Sequence, residues 1–184
     1  MSVGQEGEAP APRRWRGRPW LPFLVLGAAA LLYASVWQLP AVFSGRPPAG
    51  ILLLSRLEGA EWLELTDGVE VPGRARVRFE VRLQRPASVV LIGLNAEGRA
   101  TLYVPAKGGP PRLKEGTSIV GEQVLDGVPG NELFIAVLCN TPLPPDVIVK
   151  AGERAAAAAG EPSRVQTLDL GCPEAHLRLR KESP

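Results

Sequence analysis

The chain has 184 residues, with 21 Lys and Arg against 19 Asp and Glu, one His and two Cys. Four of the basic residues and two of the acidic ones precede Pro19, so the remainder is electrically balanced, which argues against a nucleic-acid-binding face or a strongly cationic ligand. Twenty glycines and 19 prolines are too many for a helical protein and suit short strands joined by turns.

Residues 1–19 alternate Gly, Pro, Glu and Arg without apolar periodicity and are expected to form a disordered cytoplasmic tail. No His or Cys lies there, so a zinc module is not available in the tail. From Pro19 to Gly45 no residue is charged, and Arg13, Arg14, Arg16 and Arg18 stand just before. A bilayer core needs roughly 20 apolar residues, and its backbone groups must bond one another. Residues 20–43 are therefore expected to form one transmembrane helix, a signal anchor held in membrane lipid. Phe23, Leu24, Leu31 and Leu32 would lie in its apolar body, with Trp20 and Trp37 near the headgroups.

The arginine cluster places the N-terminus inside and everything after Ser44 outside. A cleaved signal peptide is the main alternative. Leu32-Tyr33-Ala34 and Leu39-Pro40-Ala41 both put Leu where a small residue is wanted, and no Cys follows closely enough for a lipoprotein. A buried core helix is the third reading.

Residues 44–50 contain Pro47-Pro48 and read as a stiff linker. A β-sandwich domain is expected over 51–143. Ile51–Leu54 opens it, Trp62, Leu63 and Leu65 lead to a turn at Asp67-Gly68, and Pro72-Gly73 makes a second turn. Ala75, Val77, Phe79, Val81 and Leu83 alternate with Arg76, Arg78, Glu80 and Arg82, which predicts one buried and one wet face. The Arg-rich face reads as a solvated sheet surface, with Glu80 and other carboxylates to pair it, in preference to an anion-binding stripe. Ser88–Leu94 is apolar on both faces and should be central. Asn95–Gly98 is a turn, and Arg99–Val104 returns with Leu102 and Val104 on one face and Thr101 and Tyr103 on the other. The loop Lys107–Pro111 lacks phosphate-loop spacing. Thr117–Val120 and Gln123–Leu125 are short strand candidates, Asp126–Gly130 is a turn, and Leu133–Cys139 is a second buried strand. About seven strands in this pattern predict a mainly β, antiparallel, immunoglobulin-like sandwich with one short helix.

Residues 144–184 are expected to add that helix and a C-terminal strand extension. Asp146 is a cap candidate, Ala155–Ala159 favours helix, and Gly160 and Pro162 end it. Strand character resumes at Val165–Leu170 and in the alternation around Leu177 and Leu179. Outside the cytoplasm, Cys139 and Cys172 are expected to form a disulfide worth about 3–4 kcal/mol in the loop-entropy picture. The alternative is a buried free Cys139 and an unrelated exposed Cys172.

With its Asp67-Gly68 turn, the alternating strand Arg74–Leu83, the hairpin Val89–Val104, Tyr103-Val104-Pro105 and the turn Gly130-Asn131-Glu132-Leu133, the chain resembles a bacterial family of membrane-anchored β-sandwich domains of unassigned function. That family is found with caspase-like peptidases, anti-sigma regions and kinases. The resemblance covers about Leu54–Leu143 and implies a fold and a bacterial envelope context but no chemistry. The expected location is the inner (cytoplasmic) membrane, single-pass, with the C-terminal domain periplasmic.

No catalytic constellation stands out. His176 is the sole imidazole, and its pairing with Cys172 would lack an orienting group and a thiol. One His and two Cys leave a structural zinc site short of ligands, so no metal and no cofactor are expected. Asn131 and Glu132 form a candidate interaction turn, and Glu132 reads either as a partner contact or as an acceptor for nearby backbone amides. The expected function is protein–protein interaction or envelope signalling through a partner protein, without catalysis. A partner-dependent enzyme subunit or a ligand-binding carrier domain is the second reading.

Overall fold

The computed structural model describes residues 50–183, within a compact unit spanning Pro47–Pro184. The expected tail, transmembrane helix and nearly all of the linker lie outside the described residues. Among the described residues no helix is long and apolar enough to cross a membrane.

The described residues form ten strands and one α-helix, a mainly β fold of two sheets. The first sheet has the order β2 (Glu61–Leu65), β1 (Gly50–Glu58), β4 (Arg76–Leu83), β8 (Gly116–Val124). The second runs β3 (Val69–Val71), β10 (Glu174–Lys181), β9 (Gly130–Cys139), β5 (Ala87–Leu94), β6 (Ala100–Val104), with β7 (Arg112–Leu113) on the early part of β5. Val77, Phe79, Val81 and Leu83 of β4 meet Leu177 and Leu179 of β10, Phe134 of β9 and Leu91 of β5 in a shared core, consistent with a β-sandwich.

All eight residues of β5 are buried, and so are the last eight of β9. Pleating divides them. Val89, Leu91, Phe134, Ala136 and Leu138 point at the first sheet, while Val90, Ile92, Leu94, Leu133, Ile135 and Val137 point away from it. The second set would be wet in a bare sandwich. It is covered by α1 (Pro145–Ala159), which buries Ile148, Ala151, Gly152 and Ala156. A Cβ on Gly152 would stand 2.7 Å from Ile92 Cδ1, so the missing side chain lets the helix come this close to β5. The helix is started by its prolines, with Pro145 at a position that needs no N–H. Gly160 stops it in the left-handed region, φ 73°, donating its N–H to Ala156 O. Asp146 is not the cap. It lies in the first turn, where its charge suits the helix dipole.

The structure corrects several other sequence expectations. Leu102 and Val104 do not share a face. A bulge sets Leu91 opposite Val104 but Ile92 opposite Leu102, leaving Tyr103 as the extra residue. The two short strands around 117–125 are one strand, β8, which carries a bulge at Val120 opposite Phe79 and Glu80 of β4. Val165–Leu170 is irregular, although Val165 and Leu168 are buried under the helix. The sandwich is not wholly antiparallel, because β3 runs parallel to β10. Asp67 positions that pairing: Oδ1 accepts the Arg178 N–H at 2.6 Å, and Gly68 N–H reaches Arg178 O at 2.8 Å. Finally, β10 is no appendage to a domain ending at 143. It lies between β9 and β3, and its Ala175, Leu177 and Leu179 belong to the inter-sheet core.

The two cysteines lie at disulfide distance, with sulfurs 2.08 Å and Cα atoms 5.1 Å apart. The bond ties the end of β9 to the residue pair just before β10. Because β10 is already held on both edges, Cys172→Ser is expected to loosen residues 165–173 without releasing the strand. The cost should be about 3 kcal/mol, read from a lower urea midpoint, with a slope that rises as the unfolded chain opens further. An unchanged midpoint would mean that the cross-link restrains nothing.

Candidate functional site: a buried ion cluster at one end of the core

Four side chains converge where β6, β9, β10 and the 126–130 turn meet. The bulge turns Tyr103 inward, against Phe79 and Phe134 at ring-centroid distances of 5.4 and 5.6 Å. Room for it exists because position 93 is glycine: a Cβ there would stand 2.6 Å from the Tyr103 ring. Glu132, early in β9, and Lys181, the last residue of β10, both continue the inward-facing rows of their strands. Pleating therefore drives both charges into the core, with side chains 3% and 2% exposed. Asp126 closes the group from the solvent side and is half exposed.

The contacts are specific. Tyr103 Oη donates to Glu132 Oε1 at 3.3 Å. Lys181 Nζ lies 2.9 Å from Glu132 Oε2 and touches Asp126 Oδ1. The Glu132 contact is an ion pair rather than an aligned hydrogen bond, which leaves Oε2 without a directed donor. Asp126 Oδ1 also accepts the Val128 N–H at 3.1 Å.

Burial sets the electrostatics. It pushes the Glu132 carboxyl above the usual range, and the Lys181 ammonium only partly opposes this. Burial works against the Lys181 charge, but its contacts with Asp126 and Glu132 outweigh it and raise the pKa. For Asp126 the Lys181 and Val128 donors overcome desolvation and lower the pKa. Burial, then the Glu132 charge, holds the Tyr103 hydroxyl protonated. The arrangement is thus a buried amine between two carboxyl groups, one of which has high proton affinity.

Glu132 is accordingly no exposed turn residue, and its recorded contacts are Tyr103 and Lys181 instead of backbone amides. Asn131 also faces inward business: its Nδ2 donates to Glu161 Oε1 at 2.8 Å, which Ser163 Oγ also meets at 2.6 Å. These donors lower the Glu161 pKa. His176 pairs with Glu174 at 3.0 Å, and Glu174 accepts the Leu168 N–H at 3.0 Å, so this pair pins the irregular segment to β10. The Arg-rich face of β4 is paired as a sheet surface, but by Glu122 of β8, which reaches Arg76 and Arg78 at 2.9 and 2.8 Å. Arg78 also stacks 4.0 Å over Trp62. Trp20, Phe23, Leu24, Leu31, Leu32 and Trp37 lie outside the described residues.

Sequence reasoning singled out Glu132 but missed its partners. Lys181 follows an Arg-Leu-Arg alternation and reads as one more surface cation, and Asp126 reads as a turn residue. The available signal was phase, since Lys181 falls on the Leu177–Leu179 side of its strand. The chain matches no protein-family model and no curated protein.

Proposed function

We propose that this protein is a single-pass anchor that presents its β-sandwich, immunoglobulin-like in style, outside the cytoplasm of a bacterial cell, for docking an envelope protein. The observation that carries the reading is the charge-free run Pro19–Gly45 behind Arg13, Arg14, Arg16 and Arg18. The Cys139–Cys172 pair supports it, because disulfides persist in oxidising compartments. The resemblance to membrane-anchored sandwich domains points the same way. Docking is supported by the outer face of the first sheet, where Ile51, Ile119 and Val124 are exposed beside the Arg76–Arg78–Glu122 group. The protein would act by binding, without turnover of a substrate.

Alkaline phosphatase fused after Pro184 should be active in cells, while a reporter that fluoresces only in the cytoplasm should be dark there. The reverse pattern would place the sandwich inside and end the topological reading. A photocrosslinker at Ile119 should capture one discrete membrane or periplasmic protein, and one at Asp169 should not. Equal labelling at the two positions would remove the sheet face as the docking surface.

A further inference from the structure

Lys181 and Asp126 meet as an amine and a carboxyl held in contact at the edge of a dry core. The Lys181 side chain is 2% exposed, and its recorded polar contacts are Asp126 and Glu132. Its ammonium is therefore barely solvated, although its contacts with Asp126 and Glu132 favour the charged form, so a proton must leave it before the amine can react. Condensation of an amine with a carboxyl is unfavourable between dilute solutes in water. Held reactants behave as if at roughly 10⁵–10⁸ M when their geometry is right, which speeds their condensation by lowering its barrier.

Three further features fit such a reaction. Glu132 Oε2 is 2.9 Å from Nζ, and burial raises its carboxyl pKa, so it can take up and return protons. Tyr103 holds the other oxygen at 3.3 Å and turns Oε2 toward the amine. The Val128 N–H on Asp126 Oδ1, at 3.1 Å, is placed to stabilise negative charge that grows there when the carboxyl carbon is attacked.

We propose that Lys181 Nζ and Asp126 Cγ join in an intramolecular amide, with Glu132 carrying the protons. Glu132 takes one proton from the ammonium and passes it to Asp126 Oδ2. The freed amine attacks Cγ. Glu132 then takes a second proton from the nitrogen and delivers it to the same oxygen, which leaves as water. One C–N bond forms, one C–O bond breaks, no oxidant is needed, and Glu132 ends as it began. The half-exposed side of Asp126 gives the water its way out. The product is structural: β10 becomes covalently tied at both ends, by Cys172 just before its first residue and by Lys181 at its last. A pull on either end of the chain could then not peel this inner strand from the sheet.

The test is the intact mass of the purified full-length chain, reduced so that the disulfide does not contribute. It should be lighter than the sequence by one water, and digestion should yield a branched peptide joining the Asp126 and Lys181 segments. A full sequence mass would overturn the proposal. Asp126-Gly127 can also lose water by closing on its own backbone, so water loss without a branched peptide, or water loss retained in Lys181→Arg, would overturn it as well. Glu132→Gln should restore the full mass. A branched peptide formed as readily in that variant would remove Glu132 from the reaction. The wild-type mass alone decides the main claim if any variant fails to fold.

Discussion

Against a chain in which Lys181 is still a free ammonium, replacing it with Met is expected to cost roughly 3–5 kcal/mol of stability at neutral pH, because a buried carboxylate loses its cation. Met matches the stem of Lys, so the loss is one of charge rather than volume. Its pH dependence identifies the cause. Without Lys181, burial and the Asp126 charge outweigh the Tyr103 hydrogen bond on Glu132, and the folded-state pKa stands above the unfolded one. Stability from such a group is fully present below the unfolded pKa and is lost as pH rises through the folded pKa. The variant should therefore regain stability as pH falls from neutral into the carboxylate range. Adding Glu132→Gln to Lys181→Met should recover much of the loss at neutral pH, since the remaining group is then uncharged. Urea unfolding at several pH values measures all of this. A deficit independent of pH would show that Lys181 acts by packing or by its covalent bond alone.

Phe134→Ala should cost about 3–5 kcal/mol and lower Tm by on the order of 10 °C. Phe134 is fully buried, and its ring sits 5.0 Å from Phe79 and 5.6 Å from Tyr103. It also packs against Gly93, where a Cβ would stand only 3.2 Å from its ring, so that position offers no side chain to fill the hole. Ile119→Ala is the contrasting change. Ile119 is 58% exposed on β8, so its loss should be within about 0.5 kcal/mol. Equal costs at the two positions would mean that the apolar face of β8 is buried in the folded protein.

Regular periodicity was the readable part of this chain. The alternation of Arg76–Leu83 needs only one wet and one dry face, and β4 has them. Ser88–Leu94 and Leu133–Cys139 are apolar throughout, and both are central strands. The helix was legible from its prolines, its alanine run and Gly160, all local effects. The ion cluster was legible only through Glu132. A bulge hid Tyr103, because an inserted residue shifts the phase without leaving a mark in composition, while Lys181 reads as a surface cation and Asp126 as a turn residue.

By itself the sequence determined the regular strands such as β4, β5 and β9, the position of the helix and the charge-free run ahead of the domain, because these follow from neighbours along the chain. Only the tertiary structure decided that β10 is an inner strand paired in parallel with β3, and that α1 covers the second sheet. It also decided that Lys181, Glu132, Tyr103 and Asp126 meet. Strand order and the company of a buried charge depend on which distant segments fill the same space, and residues 55 positions apart, such as Asp126 and Lys181, share no local signal of it.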